Sequence, residues 1–158
     1  MSGTSDTPEP PADVRVEPAT PADRLDVLRV LDAAMLATDA ATVDDRIAAG
    51  DALVARSERT DGVVGALVAT RPEPDRLRVD AVAVRRARRG RGVGSALVAA
   101  AVRRGESDPA IEAVTAAFDA ELRAFYAALG FSVRPADPSV DSPDRLLGRV
   151  STAGSETE

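Results

Sequence analysis

Apolar and polar residues follow two different periods along this chain, one typical of strands and one typical of helices. Short Val- and Ala-rich runs predict strands, and longer segments with apolar residues three or four positions apart predict helices. The predicted strands are 14–17, 52–56, 63–70, 77–84, 111–115, 131–134 and 145–150, and the predicted helices are 21–36, 42–49, 92–104 and 119–129. The order β-α-α-β-β-β-α-β-α-β-β indicates an α+β fold, a mixed sheet with helices packed on its faces.

Several helix boundaries are marked by residues with known capping preferences. Thr20 is a suitable N-cap for a helix whose first residue is Pro21. Gly50 and Gly130 follow helical segments and are expected to end them. The apolar residues expected on the first helix are Leu25, Leu28, Leu31 and Leu36.

Turn signals separate the strands. Residues 60–62, Thr-Asp-Gly, lie between two Val-rich runs and predict a hairpin. Pro72 and Pro74 are expected to interrupt the chain before the next strand. Gly105 is expected to be the C-cap of the helix before it, and Asp119 the N-cap of the helix after it.

The two ends of the chain differ in composition from the middle. Residues 1–12 contain three prolines and many small polar residues, and residues 151–158 read STAGSETE. Both segments are predicted to be disordered tails, because they have little to bury. One domain is expected over 13–150. No apolar run approaches the roughly 20 residues of a membrane span, and no signal peptide is recognised. A cytoplasmic protein is the expectation.

Composition excludes several kinds of chemistry. The chain has no Cys and no His, which excludes thiolate metal sites, Cys nucleophiles and His-based catalytic triads. No metal site is expected. All 20 basic residues are Arg, against 26 acidic residues, so the net charge is −6. This acidity resembles that of halophilic proteins and disfavours nucleic-acid and membrane binding.

One basic segment contrasts with this acidity. Five arginines and three glycines fall within residues 85–94, after a predicted strand and at the start of a predicted helix. A strand, a glycine loop and a helix in this order present backbone N–H groups and a positive helix end to a phosphate. A P-loop is excluded because the chain has no Lys, and the dinucleotide fingerprint fails because Ser95 replaces its third glycine.

The arrangement Arg89-x-x-Gly92-x-Gly94 resembles the pyrophosphate loop of the GNAT superfamily, the Gcn5-related N-acetyltransferases. The preceding segment 79–84, VDAVAV, is similar to the fourth strand of that family. The segment 125–131, FYAALGF, matches the family's FYxxLGF motif. The order of predicted elements over 14–150 is also similar. The resemblance implies the GNAT acyltransferase fold, with a central, mostly antiparallel sheet and helices on both faces.

The resemblance implies acetyl-CoA as cosubstrate and indicates where it would bind. In the family, the fourth strand diverges from the fifth, and its backbone pairs with the pantetheine arm. The glycines of the loop allow the backbone to approach the pyrophosphate closely. Guanidinium groups suit phosphate oxygens. The residues expected to bind the cofactor are Val82, Val84, Arg89, Gly90, Arg91, Gly92, Val93 and Gly94.

The resemblance also suggests catalytic residues. Acetyl transfer needs a neutral amine and a proton for the leaving thiolate. Tyr126, the only tyrosine in the chain, occupies the motif position that acts as general acid in many family members. Asp80 and Glu112, on neighbouring strands, are both candidate general bases. Many members have a cofactor-binding Asn where this chain has Asp119, so no cofactor contact is assigned to Asp119.

The expected function is an N-acetyltransferase in which a primary amine attacks acetyl-CoA directly in a ternary complex. A covalent acyl-enzyme is disfavoured because Cys and His are absent. The alternative is a non-catalytic acyl-CoA-binding regulatory module of the same fold. The amine acceptor, a small molecule or a protein amine, has no recognisable motif, although an acidic surface favours cationic acceptors. A homodimer is compatible with the resemblance.

Overall fold

The computed structural model describes residues 12–33, 39–136, 139 and 144–152. Most of both predicted tails (1–11 and 153–158) and the predicted helical residue Leu36 lie outside the described residues. The strands within the described part are β1 (Val14–Pro18), β2 (Ala52–Ser57), β3 (Val63–Glu73), β4 (Arg76–Val84), β5 (Ala113–Asp119), β6 (Ser132–Pro135) and β7 (Arg145–Ser151). The helices are α1 (Arg24–Ala33), α2 (Ala40–Ala49), α3 (Val93–Glu106) and α4 (Arg123–Ala128).

The strands form one sheet in the order β1-β2-β3-β4-β5-β7-β6. Every neighbouring pair is antiparallel except β4 and β5, which are parallel. The predicted hairpin is present, and Asp61 takes a positive φ of 63° in its turn. This mostly antiparallel sheet with helices confirms the predicted α+β fold.

Each face of the sheet has its own apolar core. On one face, α3 and α4 pack against alternate residues of the central strands, among them Leu67, Leu77 and Val114. On the other face, α1 and α2 pack against residues such as Val54 and Val68. The helices therefore cover both faces, as predicted from the resemblance.

The buried side of α1 differs from the predicted one. Val27, Val30 and Leu31 are buried, whereas Leu25 is 53% exposed. Residues 27, 30 and 31 have the i, i+3, i+4 spacing of a single helix face, and Leu25 lies off that face. The segment begins where predicted, since Thr20 is the N-cap of a 3₁₀ turn (Pro21–Asp23) that leads into α1. The Thr20 N–H donates a 2.9 Å hydrogen bond to the Asp23 carboxylate.

Two predicted breaks in the chain are not breaks. Pro72 lies within β3, beyond Val68, where the pairing with β2 has ended, so its missing N–H is not needed on that side. Gly105 is not a C-cap, since α3 continues to Glu106 and its C-cap is Ser107. A β-carbon on Gly105 would lie 2.7 Å from Val114 Cγ2. Glycine is therefore required there for close packing of the helix on the sheet.

The region around Asp119 also differs from prediction. The strand predicted at 111–115 is β5, which begins later and ends at Asp119. A 3₁₀ turn (Ala120–Leu122) then leads into α4, so the helix predicted from 119 is shorter. The Asp119 side chain makes no capping hydrogen bond, and it pairs instead with Arg145 at 2.9 Å.

A buried carboxylate joins three elements near the end of α2. The side chain of Asp51 is fully buried and forms ion pairs with three arginines. Arg71 of β3 is 2.9 Å away, Arg104 of α3 is 3.2 Å away and Arg46 of α2 is 3.6 Å away. The hydrogen bond from Arg71 to Asp51 is the main cause of the raised pKa of Arg71. This cluster links the helices of both faces to the sheet.

Candidate active site

Strands β4 and β5 separate part of the way along their length. They are paired only from Arg76 to Val79 on β4 and from Ala113 to Ala116 on β5. Beyond these residues, β5 continues to pair with β7, while β4 continues to pair with β3. A cavity of about 320 Å³ lies in the resulting opening. It is lined by Val79, Asp80, Ala81, Val82, Ala117, Phe118, Asp119, Leu122, Phe125, Tyr126 and Arg145.

A β-bulge at Asp80 lies at the start of this opening. Val79 is opposite Ala69 of β3 and Ala81 is opposite Val68, so Asp80 has no partner there. The extra residue reverses the alternation of β4. Val79 packs with α3, whereas Ala81 packs with α1 and α2. The bulge thus sets which β4 side chains face the opening.

The two candidate bases lie in different places. Asp80 lines the cavity, and its carboxylate accepts a 2.9 Å hydrogen bond from Arg78 Nε. Glu112 lies just before β5, at the opposite end from the opening, where its N–H donates to the Asp75 carbonyl. Ala117 follows Glu112 by five positions along the chain, a distance of about 16 Å at 3.3 Å per residue. The structure brings Asp80, and not Glu112, to the cavity that Tyr126 lines.

Tyr126 is held by three phenylalanines. Its ring stacks on Phe118 of β5, with 4.0 Å between centroids and 12° between planes. Phe125 and Phe131 meet the same ring edge-on, at centroid distances of 5.0 Å and 5.3 Å. The residue is 5% exposed, and burial raises the pKa of its hydroxyl to about 12. The hydroxyl therefore carries its proton at neutral pH.

The glycine loop has an open backbone. Gly90 and Gly92 take positive φ values of 76° and 86°, and a β-carbon on either would have nothing within 4 Å. Gly92, expected to be the first helical residue, is the N-cap of α3 and offers no side-chain cap. Within the part of the chain that the structure describes, the N–H groups of Val93 and Gly94 have no acceptor. The loop thus presents free donors at a positive helix end.

The five arginines of the loop are not equivalent. Arg85 Nε donates to the Val63 carbonyl, and Arg88 contacts both Asp13 and Ser57. Arg89 Nε donates to the Val84 carbonyl at 3.0 Å. Among the described residues, the side chains of Arg86 and Arg91 have no hydrogen bond or ion pair. These two are available to an anion without breaking an existing contact.

The two strand residues expected to pair with the cofactor also differ. Val82 lines the opening, whereas Val84 lies outside the cavity lining, and its carbonyl already accepts from Arg89. Sequence analysis missed Arg145, which lines the cavity beside Asp119. No local signal indicates it, because the two residues are 26 positions apart and meet only through the β5–β7 register.

None of the helices described is long and apolar enough to cross a membrane. No group of three or more acidic side chains in the described ranges is arranged to hold a metal ion.

The family model for the acetyltransferase (GNAT) family matches residues 28–131, well over half of the chain. The protein therefore belongs to the GNAT acetyltransferase family. The matched segment contains β4, the glycine loop and the FYxxLGF motif. No curated protein matches the chain in sequence at a significant level.

Solved structures share the fold at low sequence identity. Ard1 from Thermoplasma volcanium is 21% identical, with a TM-score of 0.69 over 89% of this chain and 98% of that one. Naa50 from Arabidopsis thaliana, in complex with the bisubstrate analogue CoA-Ac-MVNAL, is 17% identical, with a TM-score of 0.70 over 89% and 99%. N-acetylglutamate synthase from Neisseria gonorrhoeae is 15% identical, with a TM-score of 0.68 over 90% of this chain and 36% of that one.

Proposed function

We propose that this protein transfers the acetyl group of acetyl-CoA to a primary amine by direct attack in a ternary complex. One observation carries the proposal. The opening between β4 and β5 brings a free strand edge, a carboxylate and the only tyrosine of the chain to one cavity. Asp80 and Val82 lie on β4, and Tyr126 lies on α4, where its ring stacks on Phe118 of β5, so the sheet and the helix packed on it hold these groups in place.

The glycine loop is suited to the pyrophosphate of acetyl-CoA. The free N–H groups at the start of α3 would donate to phosphate oxygens, and the helix end adds favourable charge. A side chain at Gly90 or Gly92 would occupy the open space beside these donors. Arg91 would add a guanidinium, and Arg89 would do so through the nitrogens not bonded to Val84. Structures of Naa50 and of the synthase contain CoA groups, which supports this assignment.

The edge of β4 that faces the opening would hold the pantetheine arm. Beyond Val79, none of the described strands pairs with this edge on the β5 side. An extended chain with amide groups adds to such an edge as a further strand would. Val82 is the residue whose backbone we assign to this contact, because it lines the opening. Acetyl-CoA supplies the activated thioester when it is bound there.

Tyr126 and Asp80 would move the two protons of the reaction. The amine nitrogen bonds to the acetyl carbon, and the carbon–sulfur bond breaks. Asp80 would accept the proton that the amine loses, directly or through a water. Tyr126, protonated at neutral pH because its pKa is raised to about 12, would donate a proton to the leaving thiolate. Solvent would then restore the tyrosine proton.

The alternative is a regulatory module that binds acyl-CoA without turnover. The packing of Tyr126 against three phenylalanines also suits a purely structural role. Release of free thiol from acetyl-CoA in the presence of an amine separates the two functions, because a sensor would bind and release none. We expect thiol release that depends on both acetyl-CoA and an amine.

Calorimetry tests the cofactor assignment separately. We expect acetyl-CoA, CoA and longer acyl-CoAs to bind alike through their shared ADP end, and binding to weaken as salt rises. If an arginine meets the 3′-phosphate, dephospho-CoA would bind about 10- to 100-fold more weakly. Binding without turnover across a broad amine panel would support the regulatory module. No CoA binding at all would defeat both functions.

A further inference from the structure

A second cavity lies beside the first, on the solvent side of the same strands. Its volume is about 560 Å³, within the usual range for a small-molecule site. Ala117 of β5 lines both cavities, so the two adjoin there. The other lining residues of the second cavity are Pro72, Arg76, Arg78, Thr115, Ala116, Ser132, Val133, Arg134, Leu147, Gly148 and Arg149.

Among the residues that the structure describes, four arginines and no acidic residue line this second cavity. Arg76 contacts Glu73 at 3.5 Å and Arg78 contacts Asp80 at 2.9 Å. Within the described ranges, the side chains of Arg134 and Arg149 have no hydrogen bond or ion pair. The cavity is thus strongly positive in a chain whose net charge is −6.

The strand register places these arginines close to the opening. Arg78 is opposite Thr115, Thr115 is opposite Arg149 and, one strand further, Arg149 is opposite Ser132. Adjacent strands lie about 4.8 Å apart, so the backbones of Arg78 and Arg149 are separated by about 10 Å. The floor between them is made of Thr115, the small Ala117 and Leu147.

A second set of residues paired across β5, β7 and β6 lies nearer to the opening between β4 and β5. Ala117 is opposite Leu147, which is opposite Arg134. Ala117 is also the first β5 residue beyond the pairing with β4, at the level of Asp80. A molecule whose amine lay beside Asp80 would therefore have its other end over this floor, within reach of arginine side chains on β4, β6 and β7.

We propose that the acceptor is a small primary amine that also carries an oxyanion, a carboxylate or a phosphate, and that Arg149 and Arg134 bind that group. This inference rests on the proposed acetyl transfer and defines its substrate class. Guanidinium groups bind both oxyanions in a bidentate manner. The acidic surface as a whole favours cationic acceptors. Exposed charges are screened beyond about 8 Å, however, so the arginines that line the second cavity determine which acceptor charge is favoured there.

A panel of amines with graded charge tests the substrate class. Glutamate, glutamine and glutamine α-amide have similar size but two, one and no carboxylates, and phosphoethanolamine against ethanolamine tests a phosphate. We expect kcat/KM to rise about tenfold or more with each oxyanion that reaches an arginine. Whichever of glutamate and phosphoethanolamine has the higher kcat/KM identifies the oxyanion as a carboxylate or a phosphate. A preference for the uncharged amide or for spermidine would overturn the inference.

Two variants and a matched control locate the effect. Arg149→Gln and Arg134→Gln should reduce kcat/KM for the anionic amine by roughly 10- to 100-fold and leave that for ethanolamine unchanged. Arg59→Gln is the control, because Arg59 is an exposed arginine in the β2–β3 turn, away from the cavity. An anion preference that survives in both cavity variants would overturn the inference.

A binding measurement keeps this inference separate from the proposed function. Calorimetry with N-acetylglutamate on the CoA-saturated protein, and with glutarate on the protein alone, reports the anion site without turnover. Acetyl-CoA binding with turnover of amines that carry no oxyanion, but with no binding of either carboxylate at millimolar concentration and no preference for phosphoethanolamine over ethanolamine, would overturn only the inference. A different result would overturn the proposed acetyl transfer itself: glutarate binds the wild type and not Arg149→Gln, but acetyl-CoA does not bind at all. The acceptor assignment, which rests on acetyl transfer, would then be wrong as well.

Discussion

Tyr126 of α4 stacks on Phe118 of β5 beside the opening of the sheet, with ring centroids 4.0 Å apart and planes 12° apart. The contact joins α4 to β5 at the point where β5 has left β4. Stacking holds the ring in one orientation, and burial keeps the hydroxyl protonated. The same packing thus stabilises the fold and prepares a proton donor.

Removal of the Tyr126 hydroxyl tests its role as general acid. Tyr126→Phe retains the stacked ring, so we expect stability and acetyl-CoA affinity close to those of the wild type. The turnover number should fall on the order of 10²-fold, because the thiolate then leaves without a positioned proton donor. Steady-state kinetics with calorimetry measures both quantities. Unchanged turnover would assign thiolate protonation to water or to another group.

Alkaline pH tests the burial of the same hydroxyl. The pKa is about 12 in the folded protein and about 10 in an unfolded chain. The folded state therefore holds its proton longer, and stability is present below pH 10 and lost as pH rises towards 12. The free energy of unfolding should fall by up to about 3 kcal/mol in this window. The chain has no Lys, Cys or His, so no other side chain titrates between pH 9 and 12.

Urea denaturation followed by circular dichroism gives this free energy at each pH. Absorbance at 295 nm reports the ionisation directly, since Tyr126 is the only tyrosine. Tyr126→Phe should lose the decline between pH 10 and 12. A decline that persists in this variant would assign the alkaline sensitivity to another group.

The glycine loop can be tested with two matched glycines. Gly92 and Gly130 have similar φ values of 86° and 94°, and a β-carbon on either has nothing within 4 Å. Glu at either position should therefore cost similar backbone strain, about 1 kcal/mol or somewhat more. Only Gly92→Glu should abolish acetyl-CoA binding, because its side chain enters the space assigned to the pyrophosphate. Unchanged affinity in folded Gly92→Glu would refute the loop assignment.

The general base can be tested with the two carboxylates that sequence analysis left open. Asp80→Asn should lower kcat/KM at neutral pH by roughly 10²-fold or more, since the amide cannot accept the amine proton. Glu112→Gln should leave kcat/KM unchanged, because Glu112 lies at the other end of β5. The reverse result would show that the acceptor amine lies elsewhere.

The cluster around Asp51 should matter for stability. Asp51→Asn keeps the shape of a fully buried side chain but leaves Arg46, Arg71 and Arg104 without their shared countercharge. We expect a loss of about 3 kcal/mol or more in the free energy of unfolding. Asp44→Asn removes an exposed pair with Arg24 and should cost less than about 1 kcal/mol. Equal losses in urea titrations would show that solvent screens the buried cluster.

Sequence alone determined the features that depend on neighbouring residues. The Asp61–Gly62 turn, the glycine loop before α3 and the two-residue period of the strands are local, because backbone conformation and side-chain alternation are set over a few positions. The motif around Tyr126 placed an aromatic residue after the glycine loop. These signals were sufficient to predict the α+β fold and the region of the site.

Only the tertiary structure decided which residues meet. Asp80 and Glu112 are equivalent in the sequence pattern, but the bulge in β4 and the length of β5 place them at different ends of the sheet. Gly105 resembles a helix end locally and is instead a packing contact with Val114. Arg78, Arg134 and Arg149 line a single cavity because successive strand pairings bring Arg78 close to residues more than 50 positions later in the chain. The register of a strand pair depends on which face of each whole strand is buried, and a short segment of sequence does not specify that.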